Sequence, residues 1–164
     1  MAEKSPQEQL FRAVMSRFAT GVTVVTTMSG GRPFGLTVSS FCSVSLEPRL
    51  VLVSIDQAAL SRPHVADSGV FAVNILSSQQ QFLADRFAGR GPLVDGKFDG
   101  VPYRTVTTGS PILEGALGWV DCRVVDRVPA GDHVLFIGEV VETGIDESAE
   151  PLAYFHRRFT HLAP

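Results

Sequence analysis

Three stretches of the chain gather side chains able to hold a polar ligand. Thr37-Val38-Ser39-Ser40-Phe41 sets three hydroxyls into an otherwise apolar strand and its exit. A buried hydroxyl has to be paired, so these meet either neighbouring backbone or a ligand's phosphate and ring heteroatoms. Ser54-Ile55-Asp56, with Leu60-Ser61, repeats the theme at a strand end and the start of a helix. Ser61 reads there either as an N-cap or as part of an anion site, because amides at a helix start favour negative charge. Gly131-Asp132-His133 marks a hairpin tip, where His133 is either a turn residue or an imidazole poised over a ligand.

Other chemistries fail on physical grounds. Gly91-Pro92-Leu93-Val94-Asp95-Gly96-Lys97-Phe98 nearly spells a phosphate-binding loop. However, Phe98 stands where a hydroxyl must hold magnesium, and the stretch follows a helix rather than a buried strand. No GxGxxG follows a strand, and no HExxH, GxSxG or clustered Cys/His set occurs, so no metal site is expected. His156 and His161 lie five apart in a basic tail, which suits a surface or a ligand better than a metal. Cys42 and Cys122 are isolated in apolar runs and read as buried, free structural thiols.

The elements that must position these residues are mostly strands. Ser5-Pro6-Gln7-Glu8 is a capping box with proline at the first helical position, predicting a helix from Pro6 to Arg17. Its apolar stripe is Leu10, Phe11, Val14, Met15 and Phe18. The β-branched run Val22–Thr27 predicts a strand, Gly30-Gly31 a tight turn, and Pro33 to Val44 the returning strand. Further strands are predicted at Leu50–Ile55, Val70–Ile75, Leu117–Val128 and His133–Thr143, with a short helix around Pro63. Ser77–Ala88 reads as a second helix with Phe82, Leu83 and Phe87 on one side, and 89–102 as loop. Hairpins broken by few helices favour an antiparallel barrel or sandwich over a doubly wound sheet.

The 164 residues fit one domain spanning 1–164, with a core from about 8 to 160. With 45% hydrophobic and 19% charged residues, the chain can build a generous core without metals or disulfides. A net charge of −3 with no basic stripe argues against nucleic acid as a partner. His156-Arg157-Arg158 is enough for one phosphate or pyrophosphate. The amino terminus has no apolar leader, and no run approaches the ~20 residues of a membrane helix. A cytoplasmic protein without membrane association is expected.

Taken in order, the segments resemble the short-chain flavin reductase family, the reductase components of two-component flavin-dependent monooxygenases. The matching pieces are Phe18-Ala19-Thr20-Gly21-Val22-Thr23-Val24-Val25-Thr26-Thr27 and Gly35-Leu36-Thr37-Val38-Ser39-Ser40-Phe41. Ser45-Leu46-Glu47-Pro48, Phe71-Ala72-Val73-Asn74-Ile75-Leu76, Lys97-Phe98, Gly131-Asp132-His133 and Tyr154-Phe155-His156-Arg157 follow. Each piece is short, but their colinearity spans about Phe11 to Phe159.

The resemblance implies a mainly β fold with flanking helices, an antiparallel split β-barrel that binds FMN or FAD. It implies a homodimer with flavin near the subunit interface. Flavin contacts would fall on Pro33, Phe34, Gly35, Leu36, Thr37, Ser39 and Ser40, completed by Ser54, Ile55, Asp56, Leu60 and Ser61. Arg86 would be a phosphate partner. His133, as the catalytic candidate, and the tail through Tyr154, His156 and Arg157 would face NADH or NADPH. The implied activity is reduction of free flavin, handed by diffusion to a separate monooxygenase. A non-catalytic flavin store or electron carrier, and a pyridoxamine-phosphate oxidase relative, are the competing readings of the same barrel.

Overall fold

The computed structural model describes residues 5–90 and 96–162. Met1–Lys4 and Gly91–Asp95 of the phosphate-loop look-alike lie outside the described residues. Helix α1 (Pro6–Met15) begins as its cap predicts, with the Glu8 amide donating to the Ser5 hydroxyl at 3.2 Å. Glu8 itself turns forward to Arg12 (3.3 Å), and the helix closes at Ser16, short of the expected Arg17. None of its residues is buried: the apolar stripe faces outward.

The chain continues through β1 (Thr20–Gly21), β2 (Thr23–Ser29), β3 (Arg32–Val38), β4 (Phe41–Leu46) and β5 (Arg49–Asp56). Helix α2 (Arg62–Ser68), β6 (Val70–Ile75), a 3₁₀ turn (Ser78–Gln80) and helix α3 (Gln81–Phe87) come next. The carboxyl-terminal half holds β7 (Tyr103–Thr105), β8 (Pro111–Leu113), β9 (Gly118–Ala130), β10 (His133–Ile145), β11 (Ala153–Phe155) and β12 (Arg158–Thr160). Seven strands form one antiparallel sheet in the order β3-β2-β6-β9-β10-β5-β4. Strands β1, β11 and β12 make a small second sheet, and β7 pairs with β8. The expected antiparallel split barrel is the observed architecture.

Several elements differ from the sequence reading for identifiable reasons. The strand expected from Pro33 to Val44 breaks at Ser39-Ser40, because β3 and β4 lie at opposite ends of the seven-stranded order. The second helix divides into a 3₁₀ turn and α3, and Phe82 is 63% exposed while Leu83 and Phe87 are buried. Cys122 is buried as expected, which pushes its thiol up to about 12. Cys42 is instead exposed, because β4 is an edge strand. The basic tail is a hairpin whose turn, His156-Arg157, has positive φ at both residues (51° and 63°). No glycine announces it. Gly30 and Gly31, also at positive φ, make the predicted turn between β2 and β3.

Strand β2 explains why its sequence shows no polar alternation. Val25 faces the barrel interior with Val53, Ile55, Phe71, Val73 and Phe136. Val22 and Val24 face a second cluster with Leu76, Leu83, Phe87 and Leu113. Both faces are dry, so both must be apolar or internally bonded. Asn74 answers the second need: its amide nitrogen donates to Val24 O, Thr26 Oγ1 and Pro111 O, and its Oδ1 accepts from the Leu113 amide at 2.8 Å. That rivets β8 to the barrel. Asp121, also buried, accepts from the Thr108 amide (2.8 Å) and hydroxyl (2.5 Å), and burial raises its carboxyl above the ordinary range. No helix among the described residues is long and apolar enough to cross a membrane.

Candidate functional site

The sheet does not close on itself. Among the described residues β3 pairs with β2 alone, so its other edge is covered by no further strand. Ser39-Ser40 carries the chain from that edge to the far side of the barrel, and the Ser54 amide donates to Ser40 O at 3.0 Å across the gap. A cavity of about 360 Å³ opens along this seam, a size typical of small-molecule sites. Its walls are Leu36 to Ser40 from the seam, Ser54 to Asp56 from the end of β5, and Ala59 to Ser61 from the turn before α2. Phe87 and Ala88 at the end of α3, Lys97 and His133 complete it.

The hydroxyls divide into two groups. Thr37 donates to Ala84 O at 2.7 Å, tying β3 to α3, and Ser61 donates to Gly35 O at 3.0 Å. Ser61 makes no cap bond, so the N-cap reading gives way to a bridge between β3 and the start of α2. Ser39, Ser40 and Ser54 spend their hydroxyls on no partner among the described residues. Free donors facing a cavity are what a polar-edged ligand requires. Asp56 is engaged locally, its Oδ1 accepting from the Ala58 amide at 2.8 Å. Leu60, 87% exposed, forms an apolar rim.

His133 stands opposite Asp56 in the β5–β10 register, which puts its ring at the mouth of the cavity. Its Nδ1 lies 2.7 Å from Asp132 Oδ1, and this bond holds the Asp132 carboxyl below its usual range. An ionised carboxylate only accepts, so Nδ1 carries the proton and Nε2 is the nitrogen left for a ligand. The hairpin tip is itself fixed: the Gln57 amide donates to Asp132 O (2.9 Å) and its side chain to Gly131 O (3.0 Å).

The remaining candidates lie elsewhere. Pro33 and Phe34 do not line the cavity; the Phe34 ring stacks on His64 of α2, with centroids 3.4 Å apart. Gly35 is buried beneath it, where an added Cβ would meet Phe87 Cε1 at 2.9 Å. Arg86, the expected phosphate partner, does not line the cavity, and its Nη1 donates to Asp99 O at 2.9 Å. Tyr154 and Arg157 line a second, larger groove of about 1780 Å³, bounded by α1, Arg90 and β4. Ser39 and Ser40 belong to both cavities. His156 docks the tail on α1 through its amide, which donates to Ser16 O at 2.8 Å.

Lys97 also lines the seam cavity. Its only signal was its place in the colinear Lys97-Phe98 pair. The cavity thus combines free hydroxyls, a strand edge, one ammonium and an imidazole around an apolar floor. That set fits a flat heteroaromatic ring with a phosphate tail.

Comparisons with known proteins point the same way. The flavin reductase like domain matches residues 15–163. A flavin reductase of Pseudomonas putida is 40% identical over 148 residues, covering 90% of this chain and 85% of that protein. The reductase subunit HsaB of a flavin-dependent monooxygenase from Rhodococcus jostii is 35% identical, over 100% of this chain and 83% of its own length. The NADH:FAD oxidoreductase of Streptomyces globisporus C-1027, solved with NAD and FAD fragments, superposes with a TM-score of 0.88 at 34% identity, covering 100% and 98% of the two chains.

Proposed function

The chain belongs to the flavin reductase like domain family, and on that premise we propose that it reduces free FMN or FAD with NADH or NADPH. The observation that carries this is the seam cavity, where three unspent hydroxyls and the β3 edge lie below His133. When bound, the flavin supplies the hydride acceptor and the nicotinamide nucleotide the hydride. The chain's residues supply position. Ser39, Ser40 and Ser54 donate to the ring and its polar tail, the β3 edge aligns the ring, and Leu60 shields its rim. His133, held by Asp132, orients the nicotinamide nucleotide through Nε2. Tyr154 and Arg157 extend its binding surface along the larger groove. Holding two rings at reactive distance can account for up to roughly 7–11 kcal/mol of barrier reduction. No protein nucleophile is needed.

Purified protein is expected to oxidise NADH or NADPH rapidly only when FMN or FAD is added. If neither flavin accelerates oxidation over a protein-free control, the reading fails. A flavin store would have no use for an imidazole fixed by its own carboxylate at the cavity mouth, which favours the enzyme. Reduced flavin then leaves by diffusion for a partner monooxygenase, and cell fractionation is expected to place the protein in the cytoplasm with that reductant.

The proposal includes a homodimer. Leu10, Phe11, Val14, Met15 and Phe18 are all at least half exposed along one face beside the larger groove. Leu46, 86% exposed, and Val44 are further exposed apolar residues, on the β4 edge. A monomer rarely leaves such a patch in water. A second copy of the chain is its occupant. Sedimentation at micromolar concentration is expected to give twice the 17.7 kDa chain mass, and Phe11→Glu with Val14→Glu to give monomer. A monomeric wild type would end this part of the proposal.

A further inference from the structure

We propose that Gln57 is a positioning residue for the nicotinamide nucleotide: it fixes the backbone at Asp132 and, through the Asp132 carboxylate, the imidazole of His133. The inference rests on the reading above, in which His133 orients that nucleotide, and goes beyond it by naming what holds the imidazole in place. The turn between β9 and β10 has two residues, Gly131 (φ 63°) and Asp132. His133 is paired on both sides, with Asp56 and with Ala130, so the turn is the part of the tip that no ladder holds. Gln57 holds it. Its amide donates to Asp132 O at 2.9 Å and its Nε2 to Gly131 O at 3.0 Å. Those carbonyls belong to the two peptide planes on either side of the Asp132 Cα, and each plane is rigid. Pinning both fixes φ and ψ of Asp132, and hence the direction of its side chain.

The carboxylate needs that support. The Asp132 side chain is 91% exposed, so no packing around it keeps Oδ1 on His133 Nδ1 rather than in water. Gln57 is in turn held from behind. Arg62 Nε, at the start of α2, donates to Gln57 O at 3.2 Å, and Asp56 Oδ1, accepting from the Ala58 amide, tightens the turn around it. The line of contacts therefore runs from α2 through Gln57 to Asp132 and the imidazole. Gln57 itself lines neither the seam cavity nor the larger groove, so its effect on the nucleotide passes through His133. The competing role is a plain brace of the turn, which would stabilise the fold and be indifferent to the nucleotide.

Gln57→Met keeps the side chain's length and removes the donor; its kinetics are measured alone and in a His133→Ala background. The expected result is a KM for the nicotinamide nucleotide about 3- to 10-fold higher, the scale of one neutral hydrogen bond. The kcat and the flavin affinity should stay within about twofold, and the melting temperature within about 2 °C. In the His133→Ala background the same substitution should change KM by less than about 1.5-fold, because residues acting through one another do not add. An unchanged KM in Gln57→Met overturns the assignment, and so does a rise of the same size with and without His133, which would leave Gln57 a brace. Equal loss of flavin and nucleotide affinity overturns it as well, by making Gln57 a support of the flavin wall. An unchanged KM in His133→Ala removes the role of His133 and that of Gln57 with it. Wild type that oxidises the nucleotide with neither flavin overturns the flavin reading itself.

Discussion

Phe87→Ala is expected to destabilise the unliganded protein by about 3–5 kcal/mol, the range for emptying a buried phenylalanine site. Phe87 is 1% exposed and belongs to the cluster formed by Val22, Val24, Leu76, Leu83 and Leu113. Its ring meets Phe98 edge to face at 4.9 Å and fills the space above Gly35. The void cannot collapse easily, because β3 is held to α3 by the Thr37 hydroxyl and to the start of α2 by Ser61. For a chain of this length each kcal/mol lowers the melting temperature by about 2–4 °C, so thermal unfolding should show a fall of roughly 6–20 °C. Flavin affinity should fall as well, since the Phe87 residue forms part of the cavity wall. A loss under about 1 kcal/mol in urea titration would mean that α3 does not pack on β3 as described.

The second large effect is kinetic. His133→Ala should raise the KM for NADH by about tenfold or more while leaving kcat within about threefold, the signature of lost uniform binding. Flavin affinity should be nearly unchanged, because the unspent hydroxyls that would meet the flavin belong to Ser39, Ser40 and Ser54. Asp132→Asn should show a weaker form of the same split, since an amide can no longer enforce protonation of Nδ1. Parallel loss of flavin and NADH binding in His133→Ala would mark the residue as structural, and a collapse of kcat at unchanged KM would make it a participant in proton transfer.

Much of this site was legible in the sequence, for a physical reason. Hydroxyls interrupting an apolar strand are costly unless bonded, so Thr37, Ser39, Ser40, Ser54 and Ser61 stood out before any fold was known. Which of them remain free was not legible. Thr37 and Ser61 find their acceptors, Ala84 O and Gly35 O, only through tertiary contacts 47 and 26 residues away in the chain. Arg86 illustrates the converse: a cation at a matching position whose guanidinium the local fold diverts to Asp99. The break at Ser39-Ser40 was invisible because both sides have strand propensity, and only the sheet order forces the chain to cross. Phe82 misled because a three-residue 3₁₀ turn rotates the helix phase that follows.

The strand order also dictates when the cavity can come into being during synthesis. Strand β5 finds β4 at once but must wait for β10, whose first residue is His133, before its other edge is covered. Until the ribosome has released that part of the chain, the Ser54–Asp56 wall has no imidazole above it and half its ladder stands open. The nascent protein therefore carries an incomplete binding crevice through most of translation.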